Sequence, residues 1–400
     1  MDPRKRALRH RLSLRRIALQ GWLRTGKRAY LRLSSKPRQT MSQLLSPLSF
    51  AHGPDMKNRF MLAPLTNSQS HEDGTLSEEE YHWLTMRAKG GFGLTMTCAA
   101  HVQEVGKGFP GQLGAFSDDH LSGLKRLAEG IKRYGSLSNV QLHHAGMRSP
   151  SEIIGEAPVS ASADEETGAR ALSTDEVRQL RDDFIAAAIR CDQAGFDGVE
   201  LHGAHGYILC QFFAEETNRR EDEYGGSLEN RYRILDEIIE GIRHNCRADF
   251  QLGVRLSPER FGIDTGEALT MAAQLLTDPR LDFLDMSLWD IFKEPVDEQY
   301  HGKSLLDWFA ELERADVRLG AAGKIRTPQA AAAAVEQLDW VMLGRAAILQ
   351  HDFPDRYADD SEFPPTELPV TRSYLGEEGL SPKFIEYMAS WPEFIREESA

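Results

Sequence analysis

The stretch Asp197–Tyr207, DGVELHGAHGY, passes from an apolar, β-branched run straight into two histidines and a tyrosine. Its first half, GVELHG (198–203), has the length of a buried strand, and the glycines of its second half mark a turn. On either side, seven more short runs rich in Val, Ile, Leu and Met follow the same plan: RFMLAPL (59–65), GLTMTC (93–98), NVQLHH (139–144), FQLGVRLS (250–257), DFLDMS (282–287), VRLGAAG (317–323) and WVMLG (340–344). Longer amphipathic segments separate them, which is the rhythm of βα units around a parallel sheet. Eight units predict an α/β protein, a (β/α)8 TIM barrel in one domain, whose functional residues gather at the C-terminal ends of the strands.

The intervening helices carry their own signals. The segment 172–195 has Thr174 as a candidate N-cap, acids in the next turn and Gly195 as the residue that ends it. Ser227 opens a helix whose Ile234, Leu235, Ile238, Ile239 and Ile242 recur at helical spacing, and Pro328 suits a first turn. These signals divide the chain into a basic extension (1–40), the barrel (41–360), and an extended linker with a last helix packing back onto the barrel (361–400). That helix, 381–391, could also reach a neighbouring barrel and make a homo-oligomer.

Charge is unevenly distributed. Residues 1–40 carry 13 basic side chains against the single acid Asp2, which leaves 34 bases and 60 acids, a net of −26, for the remainder. An acidic body of that sign repels nucleic acid, so the core is not expected to bind it. The leader reads as an Arg-rich targeting segment, a basic arm, or an extension ahead of a true start at Met41; the complete barrel after Met41 favours the last. No apolar run approaches the roughly 20 residues of a membrane-spanning helix. The four cysteines (98, 191, 210, 246) lie far apart without a CxxC pair, as free thiols in a cytoplasmic protein would.

Sorting residues by position puts Ala63, Pro64, Thr66, Ala99, Gln141, His202, His205, Tyr207, Arg255, Gly323, Lys324, Gly344 and Arg345 at the strand ends. Gly323–Lys324 and Gly344–Arg345 stand at strands 7 and 8, where barrels often hold phosphate; a lone pair of this kind would be no more than a tight turn. Arg255 lies in an apolar strand and needs an internal partner, either a carboxylate such as Glu200 or an electron-rich heterocycle. His202 and His205 can donate two hydrogen bonds to one oxygen, with Tyr207 beside them suited to proton transfer. The same histidines could instead belong to a metal site, with His143 and His144 supplying further nitrogens, although no third ligand motif accompanies them.

Seven stretches together, KNRFMLAPLTN, GFPGQLG, QLHHAG, AGFDGVELHGAHGYIL, DEYGGSLENRYR, GVRLSPE and LGRAA, occur in the order found in the old yellow enzyme family, which the chain resembles from about Lys57 to Leu349. The resemblance implies bound FMN, reduction by NADH or NADPH, and a small-molecule electron acceptor. It implies that Ala63, Pro64, Thr66, Ala99 and Gln141 contact the flavin ring, that Arg255 lies beside flavin N1 and O2, and that Gly323, Lys324, Gly344 and Arg345 hold the phosphate. It further implies that His202 and His205 bind the substrate carbonyl, that hydride passes through flavin N5 to the β-carbon of an electron-poor alkene, and that Tyr207 protonates the α-carbon. Quinones, nitro compounds and oxygen are other acceptors on this reading. Here His143 and Met147 replace the aromatic residue and arginine of many members, with Arg148 next. A sensor-type flavoprotein without turnover and a metal-dependent or phosphosugar barrel enzyme are the competing readings.

Overall fold

A computed structural model describes residues 42–396; the basic extension lies outside the described residues. Eight strands alternate with helices: β1 (Phe60–Leu62), β2 (Leu94–His101), β3 (Leu137–His143), β4 (Gly198–Gly203), β5 (Gln251–Leu256), β6 (Phe283–Ser287), β7 (Arg318–Ala322) and β8 (Trp340–Leu343). Every neighbouring pair is parallel, and β1 pairs both β2 and β8, so the sheet closes into the expected barrel. The register sets His202 opposite Arg255 and Arg255 opposite Asp285. Predicted and observed strands differ by a few residues at their ends, most at β1, which stops at Leu62, and β2, which runs on to His101.

Alternation along each strand builds two cores. Val199, Leu201, Val254 and Leu284 point outward and meet helical residues such as Leu180, Phe184, Ile234 and Ile238 in one large apolar cluster. Met61, Met96, Phe283, Trp340 and Met342 point inward and form a second, smaller cluster inside the barrel. Leu48 and Met56 exchange backbone hydrogen bonds of 2.9 Å and cap that inner cluster at its lower end, where Phe50 meets Phe283 and Trp340 edge-on or tilted.

The helices start where side chains can satisfy free backbone N–H groups. The helix Thr174–Gln193 is capped by Ser173, one residue earlier than expected, because Ser173 and Glu176 form a reciprocal capping box. Gly195 does adopt the left-handed conformation, with φ of 87°. Ser227 caps Leu228–Asn245, and Pro328 occupies the first turn after Thr327. Beyond residue 360 the chain is irregular until the helices Arg372–Glu377 and Pro382–Ala389. The second helix packs Phe384 edge-on against Trp83 at 5.0 Å, and the Ser381 N–H donates to Gln69 at 3.0 Å. The tail therefore lies on its own barrel, near the strand ends. No helix among the described residues is long and apolar enough to cross a membrane.

Candidate active site

The loop after β4 is held from several sides. The Ile208 N–H donates to the His144 carbonyl at 3.0 Å, Gln211 donates to the Gly206 carbonyl at 2.8 Å, and Arg148 donates to the carbonyl of His205. His205 takes a positive φ of 60°, a conformation that costs a non-glycine residue energy and persists only where its surroundings impose it. The result is a convergence of rings. His205 Nδ1 lies 3.2 Å from His202 Nε2, Tyr207 meets His202 at 5.1 Å and His143 at 4.3 Å between centroids, and the Arg148 guanidinium sits 4.9 Å over the Tyr207 ring.

Burial pushes both imidazoles well below the usual histidine range; for His205 the Arg255 and Arg148 charges add to this, and for His202 the neighbouring histidines do so as well. Both rings are therefore neutral near pH 7. One can donate to the other, or both can turn an N–H toward an oxygen placed between them. Burial also raises the Tyr207 hydroxyl above its ordinary value, against the pull of Arg148, so Tyr207 holds its proton at neutral pH. Among the described residues no group of three or more His, Cys, Asp or Glu side chains could hold a metal ion.

Two adjoining cavities of about 250 and 300 Å³ open at this mouth and share Pro64, Leu65, His205, Arg255, Arg345 and Trp391. All thirteen residues singled out in the sequence line one or both. Ala63, Gly323, Lys324 and Gly344 belong to the first; Thr66, Ala99, Gln141, His202 and Tyr207 belong to the second. His144 is not among them: it is buried behind the site and its Nδ1 accepts from the Gly146 N–H at 2.9 Å.

Arg255 does not meet the carboxylate expected as one of its two possible partners. Its Nε donates to Ser287 Oγ at 2.7 Å, and no carboxylate lies within ion-pairing distance among the described residues. Glu200 is instead the acceptor for Gln141 Nε2 at 2.6 Å. The guanidinium face of Arg255 is thus left to the cavity.

At the far end, the two glycines play different parts. A Cβ on Gly323 would come within 2.9 Å of Ile291, so its bareness serves the packing of the turn. A Cβ on Gly344 would meet only Leu65, at 3.5 Å, so nothing in the protein crowds that backbone and a ligand can approach it closely. Lys324 is partly committed, 3.0 Å from Asp290 in an ion pair. A further basic group at this end was missed in the sequence reading: Arg326 lines the same cavity, its Nε is buried without a hydrogen-bond partner, and its charge joins burial in lowering Arg345. Two guanidiniums on the lining of one cavity that has no carboxylate on its wall form a place an anion could occupy.

Also unforeseen are the walls contributed by the last helix and the residues just after it. Tyr387, Met388 and Trp391 line the second cavity, and Arg345 lies 5.8 Å from the Trp391 ring. The donor set as a whole, an apolar wall, a floor of amide and guanidinium groups and a dibasic end with an orphaned N–H, fits a flat, polar-edged heterocycle with a phosphorylated tail.

Comparison with known proteins agrees with this geometry. Residues 43–362 match the NADH:flavin oxidoreductase / NADH oxidase family. The chain is 35% identical over 331 residues to the probable NADH-dependent flavin oxidoreductase YqiG of Bacillus subtilis, covering 80% of this chain and 88% of that one. It is 31% identical over 337 residues to the NADH:fumarate oxidoreductase of Klebsiella pneumoniae, but spans only 36% of that longer relative. Among solved structures, the old yellow enzyme homologue from Zymomonas mobilis superposes with a TM-score of 0.73 at 28% identity, covering 86% of this chain and 99% of the other. A closed parallel barrel with this cavity, matched along four fifths of its length, belongs to the NADH:flavin oxidoreductase / NADH oxidase family, and the chain is an FMN- and NAD(P)H-dependent oxidoreductase.

Proposed function

We propose that the protein is an ene-reductase, which passes reducing equivalents from NADH or NADPH to an electron-poor alkene such as an α,β-unsaturated carbonyl compound. The observation that carries this reading is the approach of His205 Nδ1 and His202 Nε2 to 3.2 Å, with Tyr207 on the same cavity wall. FMN, when bound, supplies a two-electron carrier that accepts hydride from the nicotinamide and gives it up to the alkene. Arg326, Arg345 and the open backbone at Gly344 would hold its phosphate. Ala63, Pro64, Thr66 and Ala99 would line its ring, and Gln141 and Arg255 its polar edge.

The substrate chemistry falls to three side chains. His202 and His205, both neutral, each turn one N–H to the carbonyl oxygen and draw electron density from the β-carbon. Tyr207 then gives its proton to the α-carbon, and the resulting phenolate, stabilised by the Arg148 cation over its ring, regains a proton from solvent at the open mouth. The alkene thus gains a hydride at one carbon and a proton at the other, and the product is the saturated carbonyl compound. Support for alkenes as the acceptor class also comes from the relative named as a fumarate oxidoreductase.

An absorbance spectrum followed by anaerobic additions tests the reading. The protein should be yellow, bleach with NADH or NADPH, and recover its colour with one equivalent of cyclohexenone. Bleaching without recovery on any enone would refute ene-reduction and leave a flavoprotein of another kind.

A further inference from the structure

Beneath the cavity floor, the barrel interior holds two carboxyl groups that the proposed reaction does not use. Glu200 on β4 and Asp285 on β6 are fully buried, facing a middle layer that Met61, Met96 and Met342 fill on the other side. Bare backbone makes room for them. A Cβ on Gly320 would lie 2.5 Å from Asp285 Oδ1. An acid in such a place is costly unless it is paired or neutral.

Their partners are few. Glu200 Oε1 accepts from Gln141 Nε2 at 2.6 Å, and Asp285 has only the Glu200 carboxyl and the Trp340 indole N–H as side-chain partners. Burial and the nearby Glu200 raise Asp285 well above the usual carboxylate range. Two carboxyls buried side by side cannot both ionise, so the pair carries no more than one negative charge, and Arg255, opposite Asp285 in the register, is the cation that faces it. With the Gln141 NH2 donating to Glu200, its amide carbonyl oxygen is the group left available above.

We propose that Glu200, backed by Asp285, is a positioning residue for the flavin site: it orients the Gln141 amide, places one negative charge under the cavity floor, and through both sets the redox potential of the bound flavin. The inference rests on the reading that FMN lies against Gln141 and Arg255. A negative charge fixed below the ring opposes the charge that reduction adds, so its removal makes the flavin easier to reduce.

Three variants of the FMN-loaded protein, with potential measured by dye equilibration and FMN affinity by fluorescence titration, separate the possibilities. Glu200→Gln keeps shape and can still accept from Gln141, yet should favour reduced over oxidised flavin about tenfold, which is about 30 mV for a two-electron couple. Asp285→Asn stays neutral and still donates, so it should change that preference less than about threefold. Gln141→Leu should weaken FMN binding and shift the potential. A Glu200→Gln potential within threefold of the parent, with Gln141→Leu active in both measurements, overturns the inference, as does a tenfold shift in Asp285→Asn. A Gln141→Leu protein unchanged in both overturns the cofactor placement beneath it.

Discussion

Replacing Tyr207 with phenylalanine isolates the proton that the proposed reaction needs. The ring contacts at 4.3 Å to His143 and 5.1 Å to His202 remain in the variant, and the cation over the ring stays. The hydroxyl makes no hydrogen bond to another described residue and faces the cavity, so its loss strands no buried partner. Stability should therefore change by no more than about 0.5 kcal/mol, as at an uncommitted surface position. The chemical cost is far larger. A positioned general acid contributes about 10² to 10⁴ in rate, equivalent to about 3 to 5.5 kcal/mol of barrier. In stopped-flow experiments, reduction of the enzyme by NADH or NADPH should proceed within a factor of about two of the parent, while reoxidation by cyclohexenone should slow at least about a hundredfold. Equal slowing of both half-reactions, or unimpaired reoxidation, would refute the role given to Tyr207.

Loss of one guanidinium from the dibasic end, in Arg326→Ala or Arg345→Ala, should weaken FMN binding about 10- to 100-fold in a fluorescence titration, the worth of a charge-assisted hydrogen bond. Arg148→Gln removes the cation that holds Tyr207 down against burial. The Tyr207 ionisation should then move to higher pH in an ultraviolet titration, with enone reoxidation slowed about two- to fivefold, as expected for a somewhat weaker general acid. Gly253→Ala would drive a Cβ into the Phe283 ring and should cost about 3 kcal/mol in denaturant unfolding. Gly376→Ala, with open space around it in a helix, should be neutral or slightly stabilising in the same assay.

The barrel was legible because its strands are apolar runs that stop abruptly at polar residues, and thirteen of those end residues do meet in one mouth. What was not legible depends on contacts between distant segments. Arg326 lies only two residues beyond Lys324, but nothing local shows that Lys324 turns to Asp290 while the Arg326 Nε keeps no partner. Tyr387, Met388 and Trp391 reach the cavity because Phe384 packs on Trp83, some 300 residues earlier in sequence. Glu200 was considered as a partner for Arg255 from its strand position, and the inward side was right. Its actual partner, Gln141, depends on the neighbouring register of β3 and β4, which pairs those two residues directly. The cap at Ser173 could have been found: Ser173 and Glu176 have the spacing of a capping box, a stronger signal than the hydroxyl of Thr174 alone.

The charge pattern gains a meaning from the geometry. Residues 41–400 carry a net charge of −26, yet the mouth collects Arg148, Arg255, Arg260, Lys324, Arg326 and Arg345, with Asp290 as the acid paired there. A basic cleft in an acidic body focuses its field outward through the opening, because low-dielectric walls screen little and surrounding acids repel anions elsewhere. Both FMN and the reduced nicotinamide are polyanions, so the body would turn them away everywhere except at the mouth. The same contrast suits Arg255, which is buried with no carboxylate in ion-pairing range and turns its free guanidinium edge to that opening.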